Sequence, residues 1–198
     1  MNPTGWTRLI CATGNAGKLR EFRLAAGDAR LDLELLPNYK LLPEAVEDGA
    51  TFEENAVKKA QHYSPHASGL LFADDSGLAV DALGGAPGVY SARFSGPGAT
   101  DAANNALLLE KMRGVANRRA RFVCAIALVE GPRVLGVYRG SVEGTLLEAP
   151  RGSGGFGYDP LFYCPAFGCT FGEATAEQKL SLSHRGQAFR AMLAVLAT

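Results

Sequence analysis

The sequence predicts an α/β protein in which helices flank a mixed central β-sheet, built as one domain over residues 1–198. Short apolar runs alternate along the chain with segments of helical spacing, an order typical of βαβ units. Two apolar runs are joined only by Glu130-Gly-Pro-Arg133, which predicts a hairpin and therefore antiparallel pairing in the same sheet. With 47% hydrophobic residues, the chain can bury one substantial core.

The chain opens with a strand, a glycine turn and a helix. The apolar run of residues 8–12 predicts the strand, and the helical spacing of apolar side chains over residues 18–26 predicts the helix. A second strand is expected over residues 31–36. Thr51 is followed three residues later by Glu54, a capping-box signal, so a second helix is expected to begin there.

The middle of the chain predicts a short strand and a long loop. Residues 70–73 are apolar, and the glycine-rich passage that follows, through Gly98, shows little helical pattern. Loops of this length inside compact domains usually serve a functional site. The elements expected after the loop are a helix over residues 100–113, strands over residues 121–129 and 134–142, and a helix over residues 186–196.

The overall charge argues against nucleic-acid and membrane partners. Twenty Lys and Arg residues balance twenty Asp and Glu residues, so the net charge is zero. No apolar run reaches the roughly 20 residues needed to span a bilayer, and the N-terminus lacks the apolar stretch of a secretory signal. The four cysteines show no paired CxxC spacing, which favours reduced thiols. We therefore expect a cytoplasmic protein.

The turn Thr13-Gly-Asn-Ala-Gly-Lys18 lies between the first predicted strand and helix. Backbone N–H groups and the helix dipole favour a phosphate at such a turn, and Lys18 adds a positive charge. The segment is not a P-loop, because Ala12 stands where that motif has glycine and Leu19 where it has Ser or Thr. It predicts a triphosphate-binding turn, although glycine is common in many strand-to-helix turns.

Two adjacent carboxylates, Asp74 and Asp75, follow the apolar run of residues 70–73. Carboxylates at a strand end suit a hard cation such as Mg²⁺. Because neighbouring strand side chains point to opposite faces, only one of the two is expected to enter the site. The alternative is that Asp75-Ser76-Gly77 is simply a turn, but its position directly after a buried strand favours function.

The loop before the second helix, residues 43–50, is termed the acidic loop. It carries Glu44, Glu47 and Asp48, and any of these could complete a metal site with Asp75. The alternative for each of them is a solvated surface charge. The residue pattern alone leaves the second metal ligand open.

Two later segments have the character of ligand-binding loops. Residues 152–157 match the pattern GxGxxG of the dinucleotide-binding fingerprint. That fingerprint requires a helix directly after the glycines, whereas Tyr158-Asp159-Pro160 follows here. We therefore interpret the segment as a rigid loop that presents Phe156 to a flat ligand. Ser183-His184-Arg185-Gly186, with Lys179 upstream, could gather cationic donors at the start of the last helix. The alternative is ordinary helix capping with exposed basic neighbours.

The chain resembles the inosine triphosphate pyrophosphatase (XTP/dITP diphosphatase) family in five motifs, which occur in the family's order: TGNAGK, FEENAVKKA, ADDSGLAVDALGGAPGVYSARFSG, FGYDP and SHRGQAF. The resemblance implies a mixed-sheet α/β fold with two lobes around a nucleotide-binding cleft, and a homodimer. It also implies hydrolysis of ITP, dITP and XTP to the nucleoside monophosphate and pyrophosphate, which cleanses the nucleotide pool and prevents their incorporation into DNA and RNA.

The resemblance also assigns individual residues. Asp75 would bind Mg²⁺ and act as the catalytic base, with Glu47 as the second metal ligand. Relatives often carry paired glutamates here, whereas Val46 precedes Glu47 and Asp48 replaces a threonine, so Glu44 stays a candidate. The substrate-binding residues would be Thr13, Gly14, Asn15, Ala16, Gly17 and Lys18 for the triphosphate, and Ser76, Phe156, Gly157, Tyr158, Asp159, Lys179, His184 and Arg185 for the remainder of the substrate.

Inosine and xanthosine present a 6-oxo acceptor where adenosine presents an amino donor. Donors from Arg185 or from backbone amides would therefore select against ATP.

Three other functions stay open: a pyrophosphatase for modified pyrimidine nucleotides, a binding module that senses a triphosphate without hydrolysing it, and a dinucleotide-dependent oxidoreductase resting on GxGxxG alone. Adjacent carboxylates beside a phosphate turn argue against the binding module, since they repel phosphates unless a metal intervenes.

Overall fold

The structure is a computed structural model, and it describes residues 7–27 and 31–196. Its strands are β1 (Thr7–Cys11), β2 (Leu31–Leu35), β3 (Leu70–Val80), β4 (Arg119–Glu130), β5 (Arg133–Leu146), β6 (Phe162–Cys164) and β7 (Cys169–Thr170). Its helices are α1 (Ala16–Ala26), α2 (Phe52–Tyr63), α3 (Asp101–Lys111), α4 (Ala176–Leu182) and α5 (His184–Leu196). Short 3₁₀ turns occur at Tyr39–Leu41, Ser64–His66, Asp81–Leu83 and Gly88–Arg93.

The strands form one seven-stranded sheet in the order β2-β1-β3-β4-β5-β6-β7. β1 pairs in parallel with β2 and β3, whereas β6 pairs antiparallel with β5 and β7. α1 provides the crossover that a parallel β1–β2 pair requires. β4 and β5 are neighbours joined only by Gly131 and Pro132, so they form the expected hairpin. The predicted mixed α/β sheet is therefore confirmed.

The chain divides into two compact units, each made of segments that are distant in sequence. The first unit comprises Met1–Asp75, Cys124–Gly140 and Arg185–Thr198, and the second comprises Ser76–Val123 and Ser141–His184. β3 and β4 contribute residues to both units. The single domain expected from the sequence stays a prediction.

The first unit has two apolar layers, one on each face of the sheet. Successive side chains of a strand point to opposite faces of a sheet. One layer packs α2 against the sheet through Ala56, Ala60 and Tyr63. The other layer packs α1 and α5 against the sheet through Phe22 and Phe189. A polar side chain of β3 in this unit must therefore point either towards α2 or towards α1 and α5.

The second unit has its own apolar core, to which α3 contributes the fully buried Leu108. Aromatic rings dominate this core. The ring centroid of Phe122 lies 4.6 Å from that of Phe162 and 5.8 Å from that of Phe171. Such ring pairs stabilise a core beyond the area that they bury.

β3 differs from the sequence-based prediction. The strand continues from Leu70 to Val80 and includes Asp74 and Asp75, so the acidic pair lies inside a strand and not at its end. The reason is that Leu78 and Val80 are fully buried and continue the period-two pattern beyond the polar residues. The turn considered at Asp75 is thereby excluded. The expected long loop begins only after Val80 and contains 3₁₀ turns.

Three short elements lie outside the sequence-based predictions, namely β6, β7 and α4. β6 and β7 are three and two residues long, too short to show a periodicity. The start of α4 carries a full capping box, Thr175 with Gln178, which is a readable signal. The box expected at Thr51 is only half formed, because the Glu54 side chain accepts from the Ala50 N–H instead.

Within residues 7–27 and 31–196, no helix is both long and apolar enough to cross a membrane. All four cysteines carry free thiols, and Cys11, Cys124 and Cys164 are buried. The expectation of reduced core thiols agrees with this placement.

Candidate active site

The turn between β1 and α1 contains the backbone amides at the start of a helix. Asn15 is the N-cap of α1, and its side chain accepts a hydrogen bond from the Lys18 N–H over 3.0 Å. Thr13 is buried, and its hydroxyl accepts from the Asn15 N–H over 3.2 Å. These bonds fix the turn at the positive end of the helix dipole. The phosphate-binding role of Thr13–Lys18 stays a prediction.

A pocket of about 420 Å³ lies beside this turn in the first unit. Its lining includes Gly14, Tyr39 and Tyr63 together with Glu44 and Glu47 of the acidic loop. A Cβ added at Gly14 would lie 3.0 Å from the Tyr39 ring, so glycine allows that ring to pack against the turn. The pocket brings together the predicted phosphate-binding turn and two of the three candidate metal ligands of the acidic loop.

Alternation along β3 separates the two aspartates. Asp75 lies on the face covered by α2, where Asn55 Nδ2 donates to its carboxylate over 3.0 Å. Asp74 points the other way, and its carboxylate is 2.8 Å from Lys18 Nζ and 3.8 Å from Arg185 Nε. Both aspartates are buried. The opposite orientation expected for the pair is therefore observed.

Cations surround the Asp74 carboxylate. Burial alone would raise its pKa, but Lys18, Arg185 and Lys59 together lower the pKa of Asp74 to about 2. Arg185 is itself buried, and its guanidinium also pairs with Glu21. Asp74 is therefore ionised at neutral pH and serves as a shared counter-ion for α1 and α5.

Asp75 has the opposite shift. Burial raises the pKa of its carboxyl, and the negative charge of Glu47 raises it further. The positive charges of Lys18 and Lys59, together with the hydrogen bond from Asn55, lower this pKa but offset the rise only in part. A carboxyl with a raised pKa next to a specific charge partner is typical of a general base. Neighbouring carboxyls with oppositely shifted pKa values indicate separate roles.

Lys59 connects the acidic loop to β3. Its ammonium lies 2.7 Å from the Glu47 carboxylate and donates to the Asp74 carbonyl over 3.1 Å. Glu47 is partly buried, whereas Glu44 is exposed. In the described part of the chain, no three His, Cys, Asp or Glu side chains are grouped for a metal. Mg²⁺ often takes only one or two protein carboxylates beside substrate phosphates, so a two-carboxylate site of Glu47 and Asp75 stays a prediction.

In the second unit, Asp159 organises the loop that presents Phe156. Its carboxylate accepts from the Phe156 N–H over 2.8 Å and lies 2.5 Å from Lys179 Nζ. Lys179 is buried, and its ammonium lies 4.9 Å from the centroid of the Phe156 ring. A buried ion pair therefore supports the aromatic ring and its backbone.

Gly157 and Tyr158 are held by residues of the same unit. The Gly157 N–H donates to the Asp101 carboxylate over 2.7 Å, and the Tyr158 hydroxyl donates to the Ser91 carbonyl over 2.8 Å. Both donors are therefore engaged within the protein. The rigidity expected of this loop stays a prediction, which these hydrogen bonds favour.

The start of α5 and the residue before it correct one sequence-based alternative. Ser183, His184 and Arg185 are all buried, so the alternative of exposed basic neighbours is wrong. The His184 ring stacks on Phe122, with centroids 4.9 Å apart and planes 10° from parallel. An aromatic partner in the core explains this burial, which the sequence does not reveal.

The structure groups the predicted site residues into two sets. In the first unit lie Thr13, Gly14, Asn15, Ala16, Gly17, Lys18, Glu47, Asp75 and Arg185. In the second lie Ser76, Phe156, Gly157, Tyr158, Asp159, Lys179 and His184. The functional roles assigned to these residues stay predictions.

Sequence reasoning missed Asn55 and Lys59, which contact Asp75 and Glu47 respectively. Both lie on α2 with a spacing of four residues, which places them on one face of the helix. Ala56 of the same helix is fully buried. Polar residues at helical spacing beside a buried apolar stripe are the signal that could have found them.

Comparison with known proteins relates the whole chain to one family. The model of the Ham1 family matches residues 9–195. The dITP/XTP pyrophosphatase of Exiguobacterium sp. is 50% identical over 183 residues, covering 92% of this chain and 93% of that protein. The dITP/XTP pyrophosphatase of Thermus thermophilus is 51% identical over 190 residues, covering 94% and 90%. The solved structure of a HAM1 protein from Coxiella burnetii is 37% identical, with a TM-score of 0.86 over 96% of this chain and 98% of that one.

Proposed function

Because this chain belongs to the Ham1 family, we propose that it hydrolyses the non-standard purine nucleotides ITP, dITP and XTP to the nucleoside monophosphate and pyrophosphate. This reaction would keep such nucleotides out of DNA and RNA. The names of the two bacterial relatives support the substrate class. The observation that carries the proposal is the separation of two buried aspartates of β3. The carboxyl of Asp75 has a raised pKa, to which the charge of Glu47 contributes. The carboxylate of Asp74 lies beside Lys18 and is ionised.

Mg²⁺ is the proposed cofactor. Glu47 and Asp75 would hold it, with Glu44 as the alternative to Glu47. The donor set fits this ion, since a hard cation prefers carboxylate oxygens and leaves positions for phosphate oxygens. When bound, the cation supplies charge neutralisation on the phosphate groups. The positive charges of Lys18 and Lys59 contribute in the same sense.

Asp75 is the proposed general base. Its carboxylate accepts a proton from a water whose oxygen bonds to the α-phosphorus, while the bond from that phosphorus to the bridging oxygen breaks and pyrophosphate departs. The Lys18 ammonium and the amides at the start of α1 stabilise the charge of the departing pyrophosphate.

Phe156 is proposed to stack on the purine, and its removal tests this role. Phe156→Ala should raise KM for ITP by about tenfold or more with a smaller effect on kcat, because base stacking on an aromatic ring contributes about 1–3 kcal/mol. Steady-state kinetics on ITP give the measurement. Phe156→Tyr keeps the ring and should have nearly the KM of the unmodified protein. A KM that is unchanged in Phe156→Ala would remove the ring from base recognition.

The activity itself is tested by pyrophosphate release from ITP, XTP, dITP, GTP, ATP and a pyrimidine triphosphate, with Mg²⁺ and again with a chelator. We expect fast, metal-dependent turnover of ITP, XTP and dITP alone. A preference for the pyrimidine would indicate the related pyrophosphatase class. Binding of ITP with no turnover of any nucleotide would identify a binding module. A homodimer, which the family resemblance implies, and a cytoplasmic location, which is expected from the hydropathy and cysteine patterns, stay predictions.

A further inference from the structure

Asn55 of α2 is a fully buried polar residue whose side chain connects two parts of the first unit. Its Oδ1 accepts from the Gly49 N–H over 2.7 Å, and its Nδ2 donates to the Asp75 carboxylate over 3.0 Å. The acidic loop and β3 are therefore joined through a single amide group. Buried amides persist where both ends are hydrogen-bonded, and this one meets that condition.

A second connection of the same kind lies one helical turn further along α2. Lys59, four residues after Asn55, contacts Glu47 of the acidic loop and the backbone carbonyl of Asp74 in β3. Two side chains of one helix face thus hold the loop against the strand. Glu47 and Asp75, the two proposed metal ligands, are the carboxylates that these side chains contact.

Gly49 shows how closely the acidic loop approaches Asn55. A Cβ added at Gly49 would lie 2.7 Å from Asn55 Oδ1 and 2.8 Å from Glu54 Cβ. A side chain at this position would therefore displace the loop from α2. The absence of one is what permits the short hydrogen bond to Asn55.

We propose that Asn55 is a positioning residue for the hydrolysis, which fixes the orientation of the Asp75 carboxylate and the distance of the acidic loop from it. The inference rests on the proposed function. Only a side chain with both a donor and an acceptor can bond a carboxylate and a backbone N–H at once. An ionised aspartate lacks the donor and would place a second charge beside Asp75, and lysine lacks the acceptor. An amide of this length meets both needs without adding charge beside Asp75.

Two substitutions separate the two hydrogen bonds. Asn55→Asp keeps an acceptor for the Gly49 N–H but places a second carboxyl against Asp75, and the two can bond only by sharing a proton, which Asp75 then cannot accept from water. Asn55→Ala loses both hydrogen bonds and adds no carboxyl. We expect kcat on ITP to fall by about 10–100-fold in each variant, the range found for groups that orient ligands, while KM changes little. The matched control is Asn104→Ala. Asn104 is another buried asparagine in a helix, and both the oxygen and the nitrogen of its side-chain amide form hydrogen bonds with the Ser91–Ser95 segment. The control should lose stability but keep its kcat per folded molecule.

Two readouts do not depend on turnover. Hydrogen exchange of the Gly49 amide should accelerate in Asn55→Ala and stay slow in Asn55→Asp. The double variant Asn55→Asp with Asp75→Asn exchanges the two groups and restores the hydrogen bond between these positions. Its melting temperature should therefore recover relative to Asn55→Asp alone, while its kcat stays as low as that of Asp75→Asn.

The outcomes distinguish this inference from the proposed function. If the unmodified protein hydrolyses none of the tested nucleotides, the proposed function fails. If it is active and Asn55→Asp retains the kcat of the Asn104→Ala control, Asn55 has only a structural role and the inference fails alone. Loss of kcat in Asn55→Ala as well as in Asn55→Asp supports positioning of Asp75, because Asn55→Ala places no second carboxyl beside it. Failure of the double variant to recover its melting temperature would overturn the contact itself.

Discussion

Asp75→Asn is expected to lower kcat on ITP by about 10³-fold, the middle of the range for the loss of a general base. An amide cannot accept the proton of the attacking water, and it is a weaker ligand for Mg²⁺ than a carboxylate. The neighbouring Lys18 and Lys59 remain in place, so binding of the triphosphate should be affected less than turnover. Rapid-quench kinetics at saturating ITP measure this loss without interference from binding.

The same substitution should leave the fold intact or stabilise it. Burial raises the pKa of Asp75 above its value in the unfolded chain, so the folded state binds a proton more readily than the unfolded state. For an acid this means that ionisation destabilises the folded state as the pH rises through the raised pKa. Asparagine is neutral at every pH and can still accept the bond from Asn55. The melting temperature at neutral pH should therefore be equal or higher.

Asp81→Asn is the matched control for Asp75→Asn. Asp81 follows directly after β3 and pairs with Arg121 over 2.7 Å in the second unit. Its substitution changes the same chemical group without touching the proposed site, so kcat should stay near that of the unmodified protein. Near-normal turnover in Asp75→Asn would exclude this carboxylate as the base and direct attention to Glu47.

The local patterns of the sequence predict much of the fold because they depend on neighbours in the chain. The strand before Thr13 and the helix after it need only apolar spacing and an N-cap, and Asn15 provides the cap. The opposite orientation of Asp74 and Asp75 follows from the pleat of a strand alone. These predictions hold even though the predicted length of β3 is wrong, because the alternation of side chains between the two faces of a strand does not depend on where the strand ends.

The contacts that define the electrostatics of the site could not be predicted because they join residues far apart in sequence. Arg185 illustrates this. The sequence suggests a donor for the purine 6-oxo group, whereas the structure pairs its guanidinium with Glu21 and Asp74. Both partners are identifiable only after α1, β3 and α5 are packed together. A test of base selectivity in Arg185→Ala must therefore be normalised to the folded fraction of the protein.

Asp74→Asn is expected to produce the largest loss of stability, about 3–5 kcal/mol at neutral pH, because it removes the counter-charge of Lys18 and one of the two carboxylates paired with the buried Arg185. Lys18 lies 2.8 Å from this carboxylate, and Arg185 is almost completely buried. The melting temperature should fall by roughly 10 °C. Adding Lys18→Met to Asp74→Asn removes one of the stranded charges and should restore part of the loss. Glu34→Gln, at an exposed ion pair with Arg8, should change the melting temperature little.

The effect of Asp74→Asn should depend on pH in a defined direction. Because its cationic neighbours lower the pKa of Asp74 to about 2, below its value in the unfolded chain, the ionised carboxylate stabilises the folded protein. That contribution is complete above the unfolded pKa of about 4 and is lost as the pH falls towards 2. The difference in melting temperature between Asp74→Asn and the unmodified protein should therefore be constant from about pH 7 to pH 5 and shrink on further acidification. A difference that persists undiminished at the acid end would show that lost packing, and not lost charge, destabilises the variant.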